Sequence, residues 1–404
     1  MSTTADQTTT GRSTPDGAVD RRPPELSPQA LAAQIGAAVV GPAAEDVDAR
    51  ARFPHEAVDA LREAGMLGAL IPQAMGGLGW SLDTVAHAVT ELAHHCSSAA
   101  MVFAMHQIQV ACLVNHGGTE RLIDLTERVA SEGLLLASAT TEVGIGGNVR
   151  QSSCAVERDH SEFRLVKHAP VISYGEYADA VLATARRSGE SQPNDQVLVA
   201  CRRQGLALEE TSGWDALGFR GTCSLGFLLT ASGDAGDILP DPYADISSQT
   251  MLPVSHILWS SLWFGMASAA ADKARSFVQT AARKSPGTTP PNALRLAELT
   301  MVLEQFHDLV VVARSRYAAA VLDPDQTRSI GFAIAMNSLK VSASTLVVDV
   351  VQRALLICGM AGYSNGTPYS LGRLLRDSFG AQLMVNNDRI YANNAQLLLV
   401  HRNG

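Results

Sequence analysis

Phe163-Arg164-Leu165-Val166, Ala180-Val181-Leu182-Ala183 and Gln196-Val197-Leu198-Val199-Ala200 are short apolar runs parted by Gly, Asn, Ser and Asp. With Leu134-Leu135-Leu136 they predict strands from residue 134 to about 245. The sequence on either side has a different period. Upstream, Phe53, Val58, Leu61 and Met66 recur at helical spacing within Ser27 to Leu67, and Gly65 is placed to stop a helix. A Pro/Gly-punctuated loop, Ile71 to Trp80, leads into Leu82 to Val114, which never alternates with period two and predicts two helices, the second over about Ser97 to Asn115. Downstream of Pro253, helical periodicity returns in Ile257–Thr280, Pro291–Leu322, Ser329–Leu356 and Leu383–Val400, broken at Ser285-Pro286-Gly287 and Asp323-Pro324-Asp325. The expected fold is α+β but mainly α: an N-terminal helical domain over 28–133, a small middle β domain over 134–247 and a C-terminal four-helix bundle over 248–404. Residues 1–27 are Thr/Pro/Asp-rich and read as a disordered leader.

Composition excludes several classes of function. In 404 residues, 40 acidic side chains against 31 basic ones leave a net charge of -9, and no Lys/Arg cluster offers a footprint for nucleic acid. The six cysteines, Cys96, Cys112, Cys154, Cys201, Cys223 and Cys358, stand singly, without a C-x-x-C pair, and read as reduced thiols in a cytoplasm. The N-terminus lacks the basic start and apolar run of a signal peptide, and no uninterrupted apolar stretch reaches about 18 residues, so neither export nor a membrane is expected.

One loop carries chemistry of its own. Ala139-Thr140-Thr141-Glu142-Val143-Gly144-Ile145-Gly146-Gly147-Asn148 combines hydroxyls with glycines, which let backbone N–H groups approach a pyrophosphate or a ring oxygen closely. The same glycines also suit an ordinary turn.

Taken with other segments in the same order, this loop resembles the acyl-CoA dehydrogenase flavoproteins over about residues 50–400. Phe53-Pro54, Leu61 to Gly65, Ile71-Pro72 and Gly76 to Gly79 are similar to the family's opening pattern, and Cys96 to His106 to its substrate-side helix. The 139–148 loop is similar to its flavin-cradling loop, Trp214 to Ser224 to its second β-domain signature, and Cys358 to Tyr363 with Leu374 to Asp377 to its bundle element. The resemblance implies bound FAD, a homo-oligomer, an acyl-CoA or acyl-carrier-protein substrate and an electron-transfer flavoprotein as partner. By position it implies flavin contacts from Thr141, Gly144, Gly146, Gly147, Arg283, Gly359 and Gly362. Ser173, in Val171-Ile172-Ser173-Tyr174-Gly175, stands where the family places a hydroxyl on the flavin N5 edge.

The departures fall on the base. Dehydrogenation of a thioester needs a carboxylate to take the α-proton. Counting from Asp377 puts Val385 where the family has Glu, in Leu383-Met384-Val385-Asn386-Asn387; the family's other base position is Ser255, with His256 in place of Arg. Val385, Asn386 and His256 are therefore expected beside the substrate. The leading expectation is an FAD-dependent thioester oxidation in which Asp388, one helical turn past Val385, supplies a non-standard base. The alternative is a monooxygenase of the same fold using reduced FMN or FAD from a flavin reductase and dioxygen, with Ser173 and His106 in its site. A third is a non-catalytic acyl- or flavin-binding homologue. A lone His106 on an apolar helix also suits a satisfied core histidine.

Overall fold

The computed structural model describes Met1, residues 26–145 and residues 148–401. The proposed leader therefore falls almost wholly outside the described residues; Ser27, at its end, accepts the Ala30 N–H and opens the first helix. The helical domain runs through α1 (Pro28–Ile35), a π-helical turn, α2 (Gly41–Ala49), α3 (His55–Glu63), α4 (Leu82–His95), α5 (Ser97–His116) and α6 (Glu120–Glu132). Hydroxyl caps set three of these starts: Ser27, Ser81 before α4 and Thr119 before α6. Gly65, at φ 68°, ends the α3 segment in the left-handed conformation that glycine adopts without strain. α6 lies beyond the two helices that the 82–115 spacing predicts.

The β domain comprises β1 (Leu136–Ala139), β2 (Glu157–Asp159), β3 (Glu162–Ile172), β4 (Ala180–Arg186), β5 (Gln196–Arg202), β6 (Leu206–Ser212) and β7 (Leu225–Asp234). They form two sheets, ordered β1-β4-β5 and β2-β3-β7-β6. β3 alternates buried and exposed residues, as a sheet with one wet face requires. β4 and β5 are buried on both faces. Val181, Ala183, Val197 and Val199 face the other sheet's Phe163, Leu165, Phe227 and Leu229, while Ala180, Leu182, Leu198 and Ala200 join the helical core. The continuous apolar runs in the sequence are thus strands sandwiched between two cores.

After α7 (Tyr243–Ile246) and a π-helical turn come α8 (Leu252–Lys284), α9 (Ala293–Ala320), α10 (Pro324–Thr327), α11 (Ile330–Cys358), α12 (Met360–Tyr363), α13 (Gly372–Leu383) and α14 (Asn387–Val400). The expected four long helices are three, α8, α9 and α11, and the fourth place in the bundle is shared by α13 and α14. The break falls at Met384-Val385-Asn386, where Val385 takes φ 42° and the Asn386 side chain caps Asp388 N–H at 2.8 Å. Two helices, Ser97–His116 and Ile330–Cys358, have the length and hydropathy of a membrane span; both are core helices, with 89% and 56% of their most apolar windows buried.

Candidate functional site

Ser173 closes β3 at the rim of the β domain. Three non-glycine residues around it hold left-handed conformations, Tyr174 (φ 43°), Phe219 (φ 49°) and Cys223 (φ 43°), a concentration of strain typical of binding loops. The hydroxyls there form a chain: Ser173 Oγ to Ser224 Oγ at 2.8 Å, Ser224 Oγ to Thr222 Oγ1 at 2.7 Å, and Thr222 Oγ1 to Phe219 O at 2.8 Å. Two oxygens this close need a proton between them, and the carbonyl has none. Thr222 must donate to Phe219 O, Ser224 to Thr222, and Ser173 to Ser224. Ser173 is left with lone pairs alone for anything on its other side.

The glycine loop lies along the same rim. Thr141 Oγ1 donates to Val171 O at 3.4 Å and Val143 N–H to His168 O at 2.9 Å. Gly144 has φ 93°, and among the described residues no heavy atom beyond its chain neighbours lies within 4 Å of where a Cβ would stand, so its backbone is open to a visitor on that side. Gly146 and Gly147 lie outside the described residues. The loop is anchored from within by Glu142, which accepts from Cys154 N–H at 2.7 Å, from the Ser153 hydroxyl and from Lys167 Nζ at 3.2 Å. Burial alone would raise the Glu142 pKa, but the Ser153 hydrogen bond and the Lys167 charge outweigh it and hold the carboxyl below its ordinary value.

Helix α13 docks onto the loop that supplies the relay. Asp377 accepts the Phe219 N–H at 2.6 Å, and a side chain at Gly218 would meet Arg376 O at 2.5 Å. Arg376 and Asp377, adjacent in sequence, take separate partners: Arg376 reaches Asp48 of α2 at 3.1 Å, while Asp377, fully buried, caps the loop backbone.

Beyond α13 lies the elbow expected to hold the base. Val385 is there, and its carbonyl accepts a hydrogen bond from Lys340 Nζ of α11 at 2.9 Å; Asn387 Oδ1 accepts another at 2.7 Å. Lys340 is buried, pairs with no carboxylate among the described residues, and desolvation draws its pKa down to about 7. Asn386 and Asp388 are exposed, and Asp388 sits in the first turn of α14 as a dipole partner. Ser255 returns its hydroxyl to Met251 O. His256 is fully buried, its Nδ1–H donating to Met336 O at 3.0 Å and its Nε2 unpartnered; burial and the nearby Lys340 charge lower its pKa to about 4.

His106 is placed as a core histidine, away from open space. Its Nε2–H donates to Leu67 O at 2.8 Å and its Nδ1 accepts Leu136 N–H at 3.0 Å, so both ring nitrogens tie α5 to the backbone of neighbouring segments. Arg283 is exposed at the end of α8. Gly359, with φ 56°, turns the chain from α11 into α12, and Gly362 is a packing glycine whose Cβ would come within 2.8 Å of Cys358. Lys340, Ser224, Thr222 and the Glu142–Lys167 pair were missed from sequence. A lysine within α11, whose other charged residues Asp349 and Arg353 lie in its second half, was the visible signal for Lys340.

A helical domain, a two-sheet β domain and a helical bundle broken at its last helix define the acyl-CoA dehydrogenase type of flavoprotein. The acyl-CoA dehydrogenase N-terminal domain profile matches residues 28–124 and the C-terminal domain profile residues 247–384, and the chain belongs to this family. It is similar to the amino sugar nitrososynthase DnmZ of Streptomyces peucetius, 26% identical over 346 residues covering 82% of each chain. Among solved structures it matches FMN-bound TdsC of Paenibacillus sp. A11-2 (TM-score 0.76, 19% identity, 93% and 98% of the two chains). Butyryl-CoA dehydrogenase of Megasphaera elsdenii matches as well (TM-score 0.77, 19% identity, 92% and 97%).

Proposed function

We propose that this chain is a flavin-dependent oxygenase, one that uses reduced flavin and dioxygen, in place of the thioester dehydrogenase first expected. The observation that carries this is the charge at the elbow: Lys340 Nζ hydrogen-bonds the Val385 carbonyl where dehydrogenation requires a carboxylate. The buried carboxylates among the described residues are Glu142, Asp237 and Asp377. Each is committed elsewhere, to Lys167, to Arg121 and Arg202, and to the Phe219 N–H. Asp388, the carboxylate expected as base, is exposed in the first turn of α14, so no buried carboxylate among the described residues is free at the elbow to take an α-proton in the usual way.

The residues present fit a flavin. Gly144 leaves an open backbone approach, Thr141 stands beside it, and Ser173 offers lone pairs at the same rim. When bound, reduced flavin would supply two electrons to dioxygen, one oxygen atom passing to the substrate and the other leaving as water. Thr141, Gly144 and Ser173 would hold it, joined by Gly146, Gly147 and Gly359, with Arg283 reaching from a neighbouring copy; Gly362 supports the bundle turn. His106 would keep α5 in place without touching the reaction. The partner implied is a flavin reductase. That TdsC is a dibenzothiophene monooxygenase and DnmZ an amino sugar nitrososynthase supports an oxygenating role. A homo-oligomer is supported by the exposed apolar last turn of α14, where Leu398, Leu399 and Val400 are open to solvent in the single chain. The test is turnover: reduced flavin, dioxygen and candidate substrates should give a product that gains label from ¹⁸O₂, whereas enoyl product from acyl-CoA under anaerobic conditions would refute the role.

A further inference from the structure

A cleft of about 680 Å³ opens between the last turns of α9 and the first turns of α11, bounded at one end by the turn that carries α10. Volumes of this size hold small organic ligands. None of its lining residues belongs to the flavin rim or the elbow. Along α9, Arg316, Ala319 and Asp323 fall at i, i+3 and i+7 and share one face, so the two charged residues stand on either side of an alanine surface, roughly 10 Å apart along the axis. From α11 the buried Phe332 and Ala335 complete an apolar floor. The Arg316 guanidinium meets no carboxylate and the Asp323 carboxylate no cation among the described residues, although Asp323 Oδ1 accepts the Asp325 N–H at 3.1 Å. The Gln326 side chain has no hydrogen bond there either. The cleft thus presents a free cation and a free anion at its two ends with hydrocarbon between them.

We propose that this cleft binds a short zwitterionic peptide, its carboxylate on Arg316, its terminal ammonium on Asp323 and its small apolar side chains on the floor between. Three extended residues span about 10 Å, which matches the spacing of the two charges along α9. The peptide's amides find partners in Gln326, whose side chain both donates and accepts, and in Ser329, whose Oγ accepts the Phe332 N–H at 3.1 Å and keeps its own proton to give. A fatty acid would meet Arg316 but lay its tail against the Asp323 carboxylate, and an alkylamine would do the reverse. A peptide of this length leaves neither charge facing hydrocarbon. The site lies apart from the flavin rim, and its occupancy does not rest on the oxygenase function.

The test is a calorimetric titration of the full chain with trialanine. Saturable binding at millimolar concentration or tighter is expected, with N-acetyl-trialanine, trialanine amide and aminooctanoate each at least about tenfold weaker, since they lack the ammonium, the carboxylate and the amides in turn. Arg316→Gln should weaken trialanine about tenfold, and Asp323→Asn, which keeps the α10 cap, by a similar factor. Both side chains are exposed, so the variants should fold, and unchanged thermal unfolding checks this. Ala319→Phe, also at an exposed position, narrows the cleft with both charges in place and should abolish binding. No saturable binding up to about 10 mM trialanine, whether the cleft stays empty or a second copy covers it, would overturn the assignment. Equal binding of a blocked peptide or of aminooctanoate, or unchanged affinity in the folded variants, would overturn it as well. Binding is read without flavin or dioxygen, so its failure and a failure to oxygenate are told apart.

Discussion

Lys340 Nζ lies 2.9 Å from the carbonyl oxygen of Val385, joining the middle of α11 to the break between α13 and α14. A β-branched residue at φ 42° is strained, and the hydrogen bond helps hold it there. The same contact brings a lysine to the residue that, counted from Asp377, stands where the family resemblance implies a carboxylate.

That lysine makes stability depend on pH. Burial lowers its pKa to about 7 in the folded chain, against about 10.4 unfolded. Between these values the unfolded state binds the extra proton, so stability from this group rises with pH; below 7 the full burial penalty is present. Wild type should gain on Lys340→Met as pH goes from about 7 to 10, by at most about 1.4 kcal/mol per pH unit. Parallel unfolding curves for the two proteins across this range would show that Lys340 is not desolvated.

His106 should behave as structure. His106→Gln strands the Leu136 N–H, while Leu67 O keeps its bond from Gln107, and stability at pH 7 should fall by about 1–3 kcal/mol in denaturant unfolding. Near-wild-type stability with lost turnover would make it a catalytic residue instead.

Both buried histidines also predict acid sensitivity. Burial lowers His106 and His256 to about 4 when folded. Below the unfolded value of about 6.5 the unfolded chain takes up protons first. Stability should therefore fall as pH drops from about 6.5 towards 4, by up to about 3 kcal/mol for each histidine. His256→Gln should lose less over this range than wild type, and an equal loss would exclude His256 as a contributor.

The Glu142–Lys167 pair anchors the glycine loop from inside the β domain. Removing one partner strands a buried charge, so Glu142→Gln or Lys167→Met should each cost about 3–5 kcal/mol, while the double variant Glu142→Gln/Lys167→Met should cost less than the sum of the two. Additive losses in thermal unfolding would show that the two side chains act independently.

The hydroxyl relay predicts a preference between flavin redox states. Ser173 has spent its proton on Ser224 and can only accept, and flavin N5 carries a hydrogen only when reduced. Reduced flavin should bind about tenfold tighter than oxidised, raising the two-electron midpoint potential by about 30 mV. Ser224→Ala frees the Ser173 proton and should remove that difference. An unchanged potential in the variant would place the relay away from the flavin.

The arrangement of helices, strands and bundle could be read in advance because it rests on hydrophobic period. β4 and β5 showed as unbroken apolar runs since both their faces are covered. β7 did not, its pattern being interrupted by Gly226 and Gly233, where its partners pass close by. The elbow escaped because nothing in Met384-Val385-Asn386 announces a left-handed valine; a lysine from another helix imposes it.

Oxygenase function requires that no base for thioester dehydrogenation act at this elbow. An anaerobic titration of the flavin-loaded protein with acyl-CoA thioesters of short, medium and long chain, following the visible flavin absorbance, tests it most directly. The band should persist with every thioester and bleach with a chemical reductant, reoxidation by air restoring it. Bleaching by any thioester, with formation of the enoyl product, would contradict it.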